Sequence, residues 1–245
     1  VPGDNQIGVI QKDQPLFAEK IVRFIGDSIG IAVADTESAA KQCAEKIKIE
    51  YDEMNPYFSI NDSKSTTNNF IHKNNIACKH QSIKGDIKNG FSRAKHIIEA
   101  DFKTPVQEHY YLEPQGIIAI PKYSNIEIHG SLQCPYYIQK AVATVLGLNI
   151  DKVIVIQSPT GGAFGGKEDI PSELAARAAV AAMRLGRPVK MIYGRQDDMQ
   201  LTSKRHPFQM HYKVGVSDDG KLLAAEINLE ESAGAYATLS SVVSY

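Results

Sequence analysis

Cysteine is scarce in this chain: Cys43, Cys78 and Cys134 are all that 245 residues contain, and no two of them form a CxxC pair. That odd, scattered set excludes a disulfide framework, a zinc knuckle or an iron–sulfur cluster built within the chain. A reducing, cytoplasmic setting is expected. Histidine offers no metal signature either, since HxxxH and HExxH are absent and Glu108-His109 stands alone. No apolar run approaches the ~18 residues of a membrane-spanning helix. Charge of either sign is not in excess, the net value being -1, so composition points to neither nucleic acid nor a membrane surface. The first residues, VPGDNQIG, carry no signal or transit pattern and no initiator Met. A start partway into a larger polypeptide is expected.

The chain is 43% hydrophobic, enough to bury a core, and its length suits one large domain or two modest ones. From Lys20 to Met54 the pattern reads strand, strand, helix, strand, over KIVRFI, SIGIAVA, TESAAKQCAEKI and KIEYDEM. Thr36 is the expected N-cap, with Ala39, Ala40, Cys43, Ala44 and Ile47 at helical spacing. Asn55 to Lys84 is polar, without either period, and reads as a connection. DIKNGFSRAK predicts a short helix and HIIEADF a strand. Beyond Asn125 the order is strand (NIEIHGSL), helix (PYYIQKAVATVLG), strand (KVIVIQS), helix (SELAARAAVAAMRLG) and strand (VKMIY), closed by Gly147 and by Gly186 with Pro188. FQMHYKVGV and KLLAAEINLEES follow as strands joined by the turn DDG. Such alternation predicts partly parallel strands, with the turn at Leu132-Gln133-Cys134 and the turn after KVIVIQS leaving the sheet along one edge, where α/β sheets bind ligands.

The second of those turns, SPTGGAFGGKED over Ser158–Asp169, holds Gly161, Gly162, Gly165 and Gly166. Glycine permits positive φ and close backbone approach, so amide N–H groups here can face an anion or an electronegative atom at a helix start. The dinucleotide fingerprint GxGxxG fails on spacing. Gly161, Gly166 and Lys167 do satisfy GxxxxGK after a hydrophobic strand, but that phosphate motif continues with Ser or Thr, and here Glu168 and Asp169 follow. Each like-charged contact with a triphosphate would cost about 4 kcal/mol at ~4 Å and an effective dielectric of 20. The plainer alternative is a tight strand-to-helix turn with Phe164 in the core, Glu168 as an acid at a helix N-terminus, and Gln133 as an amide capping its own following helix.

TGGAFGGKE, QEHYYLEP (Gln107 to Pro114), LQCPYYIQ (Leu132 to Gln139), GRPVK, RQDDM and RHPF stand in one order that resembles the xanthine dehydrogenase and aldehyde oxidase family. VPGDNQIGVI and IGDSIGIAVADT resemble that family's α/β hammerhead domain. The resemblance implies an α+β fold: 1–60 as the C-terminal part of a hammerhead-like unit, 61–84 as linker, and 85–245 as an incomplete first molybdopterin-binding domain with a mixed sheet. It implies a molybdenum–molybdopterin cofactor with oxo and sulfido ligands, hydroxylating a carbon beside a ring nitrogen, or an aldehyde carbon, with oxygen from water. By the same resemblance Gln133 and Phe164 lie near the molybdenum ligands, and Gly162, Ala163, Phe164 and Gly165 hold the cofactor. Glu168 matches the position where xanthine-type members place a substrate glutamate, and aldehyde oxidases an apolar residue. A purine or related N-heterocycle is therefore expected as substrate. His109, Tyr110 and Glu113 are expected to stabilise the domain, and Arg205-His206-Pro207 to form a turn with an ion pair.

In the family the general base, an arginine that binds substrate and most pterin contacts lie beyond the point matching Tyr245. No catalytic residue is assigned within this chain, which is expected to be inactive alone. Iron–sulfur clusters and FAD are expected on other domains or subunits, in an oligomer without nucleic-acid or membrane partners. The alternatives are an aldehyde-oxidising member, and a non-catalytic binding or assembly module that retains the fold.

Overall fold

The computed structural model describes residues 1–67 and 71–244, with mixed α+β architecture. Two compact units are present: Val1–Asn55, Glu108–Lys204 and Ala235–Leu239 form the first; Pro56–Gln107, Arg205–Gly234 and Ser240–Tyr245 form the second.

The first unit begins with the short pair β1 (Gln6–Ile7) and β2 (Gln14–Pro15), then α1 (Glu37–Glu45). Thr36 caps α1 as its sequence predicts, its side chain accepting from the Ala39 amide. The three strands expected around α1 form no ladder. Ile21, Ile25, Ile47, Tyr51 and Met54 are exposed there, and α1 itself buries nothing. Strand propensity describes fitness for a pleated, half-buried surface; without a partner edge it yields no strand.

The body of the first unit is a four-stranded sheet ordered β6-β5-β4-β7, made of β4 (Gly116–Pro121), β5 (Ile126–Gly130), β6 (Val153–Gln157) and β7 (Val189–Ile192). β5 and β6 are parallel, and β4 is antiparallel to both β5 and β7. Three of the four strands thus point the same way, as the alternating pattern predicts. The antiparallel member, GIIAIP, is an addition to that reading. Helices α4 (Pro135–Leu146) and α5 (Ile170–Leu185) cover one face. They bury Ile117, Ala119, Ile126, Ile128 and Val153 with Leu132, Ile138, Val142 and Leu174. Period-two alternation in the strands and period-3.6 alternation in the helices supply those faces. α5 is built largely of alanine on its buried side, which lets α4 and the sheet approach closely. Each helix ends at a left-handed glycine, Gly147 and Gly186. A further helix, α6 (Arg195–Leu201), was not expected from the sequence.

In the second unit β3 (His96–Thr104), β8 (Phe208–Val216) and β9 (Leu222–Glu231) form an antiparallel sheet in the order β3-β8-β9. α3 (Ile87–Arg93) packs on it where Gly90 and Gly215 remove the side chains that would collide. The stretch read as a featureless connection contains α2 (Ile60–Ser65), fixed by a capping box in which Ser59 and Asp62 satisfy each other's amides. Positions 68–70 of that stretch, and Tyr245, lie outside the described residues.

Candidate active site at the ends of the parallel strands

Because β5 and β6 run parallel in register, Gly130 beside Gln157, both chains leave the sheet at the same end. The Ser158 amide then donates to the Gly130 carbonyl at 2.8 Å. Gln133 reaches from the first exit into the glycine loop after the second. Its backbone N–H donates to the Lys167 carbonyl at 2.8 Å, and its Oε1 accepts from the amides of Gly165 at 3.1 Å and Lys167 at 3.2 Å. The expected alternative, an amide capping α4, does not occur: Cys134 is the N-cap, and no side chain bonds there. With Oε1 doubly engaged, the Nε2 group of Gln133 is left as a donor without an acceptor among the described residues.

The loop itself is bent through left-handed backbone at Gly162 (φ 95°), Phe164 (φ 55°) and Gly165 (φ 97°). For Phe164, a non-glycine, that conformation costs roughly 1–2 kcal/mol. Its ring is 77% exposed, so the expectation of a core phenylalanine fails. Amides of Gly161, Gly165, Gly166, Lys167 and Glu168 are all engaged within the protein. Those of Gly162, Ala163 and Phe164 have no protein acceptor among the described residues. The free donors of the loop therefore sit one to three residues earlier than Gly165, whose amide serves Gln133 instead. Helix α5 is capped by Asp169, whose Oδ1 accepts from Ile170 N at 2.9 Å, and not by Glu168. The Glu168 carboxylate makes no hydrogen bond or ion pair among the described residues.

Lys167 is fully buried. Its Nζ donates to Glu113 Oε2 at 2.9 Å and Ser131 Oγ at 3.0 Å, and lies 4.7 Å from the centre of the Tyr111 ring. A phosphate-loop role for this lysine is excluded, because its ammonium is already committed. Glu113 also accepts from the Gly161 amide at 2.8 Å. Desolvation pushes the Glu113 carboxyl upward, but bonds from Ser131, Gly161 and Lys167 prevail and hold it at about 2.

Beneath the loop, Gln115 Nε2 donates to the Gly166 carbonyl at 2.7 Å and to the Tyr111 hydroxyl at 2.6 Å. Tyr111 donates in turn to the buried Asp198 at 2.8 Å, and Asp198 pairs with Arg195 at 3.2 Å. Arg195 further donates to the carbonyls of Tyr111 and Leu112. Burial, then Asp198, raises the Tyr111 phenol well above its usual range. Gly166 has to be glycine: a Cβ there would stand 2.6 Å from the Tyr111 ring and 2.8 Å from the His109 ring. His109 stacks on Tyr111, and Glu108 pairs with Lys204 at 2.7 Å. The segment EHYYLEP, from Glu108 to Pro114, is thus the bed of the loop, and RQDDM fastens that bed. The roles of Gln115, Asp198 and Arg195 had no signal in the sequence beyond the two carboxylates of RQDDM. In the second unit, Arg205 donates to the Pro105 carbonyl and forms a bridge with Gln107, while the acid–base contact of Arg205-His206-Pro207 falls on His206, whose Nδ1 lies 3.8 Å from Glu231 Oε2.

The family model described as molybdopterin cofactor-binding domain matches residues 68–245, and that described as aldehyde oxidase and xanthine dehydrogenase, a/b hammerhead domain, matches residues 1–55. The chain belongs to the xanthine dehydrogenase and aldehyde oxidase family. It is 39% identical over 238 residues to the xanthine dehydrogenase of Oryza sativa subsp. japonica, covering 96% of this chain and 17% of that protein. It is 35% identical over 243 residues to the xanthine dehydrogenase/oxidase of Gallus gallus, covering 98% of this chain and 17% of that one. Among solved structures, the aldehyde oxidoreductase of Desulfovibrio gigas superposes with a TM-score of 0.83 at 29% identity, covering 94% of this chain and 27% of the other. The chain spans less than a third of the length of each of these family members.

The donor set fits the cofactor named by the family model. A pterin-held metal presents oxygen and sulfur acceptors, and this loop offers Gln133 Nε2 with three free amides, all uncharged donors.

Proposed function

We propose that this chain is a segment of a molybdenum hydroxylase acting on a purine of the xanthine or hypoxanthine kind, or a related N-heterocycle, with water as the oxygen source. The observation that carries the reading is the lock between Gln133 and the amides of Gly165 and Lys167. It leaves Gln133 Nε2 free beside the three unengaged amides of the glycine loop, Gly162, Ala163 and Phe164, with one unpaired carboxylate, Glu168, near the loop's end. When bound, molybdenum–molybdopterin with oxo and sulfido ligands supplies the oxidation of a carbon beside a ring nitrogen. Gln133 Nε2 and the amides of Gly162, Ala163 and Phe164 would hold and orient that group. They approach its acceptors without adding charge. The Glu168 carboxylate would position the substrate by accepting from a ring N–H, and it is not the base of the reaction. The general base, the remaining pterin contacts and the iron–sulfur and FAD modules would come from other domains in cis or in trans, so that this chain alone is inactive.

Aldehyde oxidation is the second reading, favoured by the likeness to the Desulfovibrio gigas aldehyde oxidoreductase. Glu168 separates the two, because a carboxylate left unpaired over an aldehyde costs roughly 1–3 kcal/mol. In the assembly purified with its natural partners, molybdenum and pterin near one per assembly are expected; their absence would leave a binding or assembly module. There Glu168→Val should retain molybdenum while kcat/KM for xanthine drops far more than for an aldehyde. Normal purine oxidation by that variant would refute the substrate role. Gly165→Val, at φ 97°, should lower pterin occupancy.

A further inference from the structure

On the side of the loop where α5 begins, the first unit contains a cavity of about 400 Å³, a size suited to a small organic ligand. Its walls come from the β1–β2 segment, α4 and the first turn of α5, with Ile7, Val9 and Ala141 as apolar wall and Tyr136 and Tyr137 as aromatic edge. None of Gln133, Gly162, Phe164 or Gly165 lines it, so it is distinct from the site proposed above.

Two polar groups in the lining lack what burial normally demands. Ser172, 7% exposed, has a buried Oγ with no hydrogen-bond partner. A buried hydroxyl left unmatched costs roughly 1–3 kcal/mol, so such groups call for an explanation. Asp169 is the second. One carboxylate oxygen accepts from Ile170 N at 2.9 Å and the Thr238 side chain bonds the carboxyl as well; His109 favours its charged form from a distance, but no Lys, Arg or His lies within ion-pair distance among the described residues. Burial pushes its carboxyl above the usual range and outweighs the opposing effects of the Ile170 amide, His109 and Thr238. The neighbouring Glu173, by contrast, is paired with Arg177 at 2.9 Å. Lys12 and Lys140 also line the cavity but are exposed, so their ammonium groups stay solvated and free to swing outward.

We propose that this cavity is a second small-molecule site that takes a compact organic amine, its protonated nitrogen donating to Asp169 and Ser172 and its ring lying against Ile7, Val9 and Ala141. The amine provides the missing positive charge and the missing donor together. An anion would meet Asp169 unfavourably, and a neutral alcohol would satisfy Ser172 alone. The inference does not depend on the molybdenum reading.

The test is a titration of the 245-residue chain with benzylamine, benzyl alcohol and benzoate, followed by calorimetry and by amide chemical shifts. Benzylamine should bind saturably and move amide signals of Ile7 to Gln14 and of the first turn of α5, with benzyl alcohol weaker and benzoate weakest. Asp169→Asn keeps a good N-cap but removes the charge, and should weaken benzylamine by at least about tenfold. Ala141→Phe should fill the cavity and abolish binding. If that variant does not fold, Asp169→Asn and Ser172→Ala carry the test. Absence of saturable benzylamine binding, benzoate binding equally well, or unchanged affinity in Asp169→Asn would each overturn the proposal.

Discussion

The two sheets of this protein use the same alternating signal with opposite results. In the four-stranded sheet, Ile117, Ile126, Ile128 and Val153 point at α4 and α5 and are almost wholly buried. In the three-stranded sheet, Ile98, Ala100 and Phe102 of β3 pair with Val214, Tyr212 and Met210 of β8, and these with Ala225, Ile227 and Leu229 of β9. One face is apolar from edge to edge. Yet Ile98 is 59% exposed and Ile227 50%, while α3 packs at Gly90 and Gly215. Alternation specifies a pleat and a preferred face, but burial requires something to lie on that face.

The largest difference should appear on truncating one isoleucine in each sheet. Ile128→Ala should destabilise the first unit by about 3 kcal/mol, as core deletions do. Ile227→Ala should cost less than about 0.5 kcal/mol, as for an exposed position. Denaturant unfolding of both variants measures the pair; equal losses would break the comparison. A comparable effect is expected for Glu113→Ala, which strands Lys167 as a buried unpaired charge, at roughly 3 kcal/mol. Smaller effects should follow at two glycines. Gly166→Ala pushes a methyl against the Tyr111 and His109 rings, at about 1–3 kcal/mol. Gly220→Ala in the β8–β9 turn meets no atom and bears only the strain of φ 81°, about 1 kcal/mol. Thermal melts should rank them in that order.

The smallest effects concern pH and have opposite signs. Glu113 is depressed from 4.5 to about 2, so its contribution to stability is present above pH 4.5 and fades as pH falls toward 2. His211 is raised from 6.5, chiefly by its hydrogen bond to Asp101, so its contribution is present below pH 6.5 and fades as pH rises past its folded value. Unfolding of Glu113→Gln should lose the acid dependence, and that of His211→Asn the dependence near neutrality. Exchange of the two windows would contradict the assignment.

Much of this was legible beforehand where one segment suffices to decide it. The helix PYYIQKAVATVLG ends at Gly147 as read, and the parallel exit of β5 and β6 follows from the single strand–helix–strand crossover through α4. KIVRFI and KIEYDEM fail because the partner edge that makes a strand is not coded in the strand. Within the site, the closeness of Gln133 to the glycine loop was legible from the chain order together with the family pattern. The Lys167–Glu113 pair was not. It joins residues 54 apart in the chain, and only the folded backbone shows that the lysine of GGKE turns inward while the glutamate beside it stays unpaired.

The burial of Lys167 gives the loop a reporter of its own. An amine reagent that acylates the protein's exposed lysines within seconds cannot reach an ammonium at 0% exposure until the glycine turn lifts from its bed of aromatic rings. The lag in labelling this one nitrogen then becomes a stopwatch for how often the turn opens, and any ligand that seats against the loop should slow it.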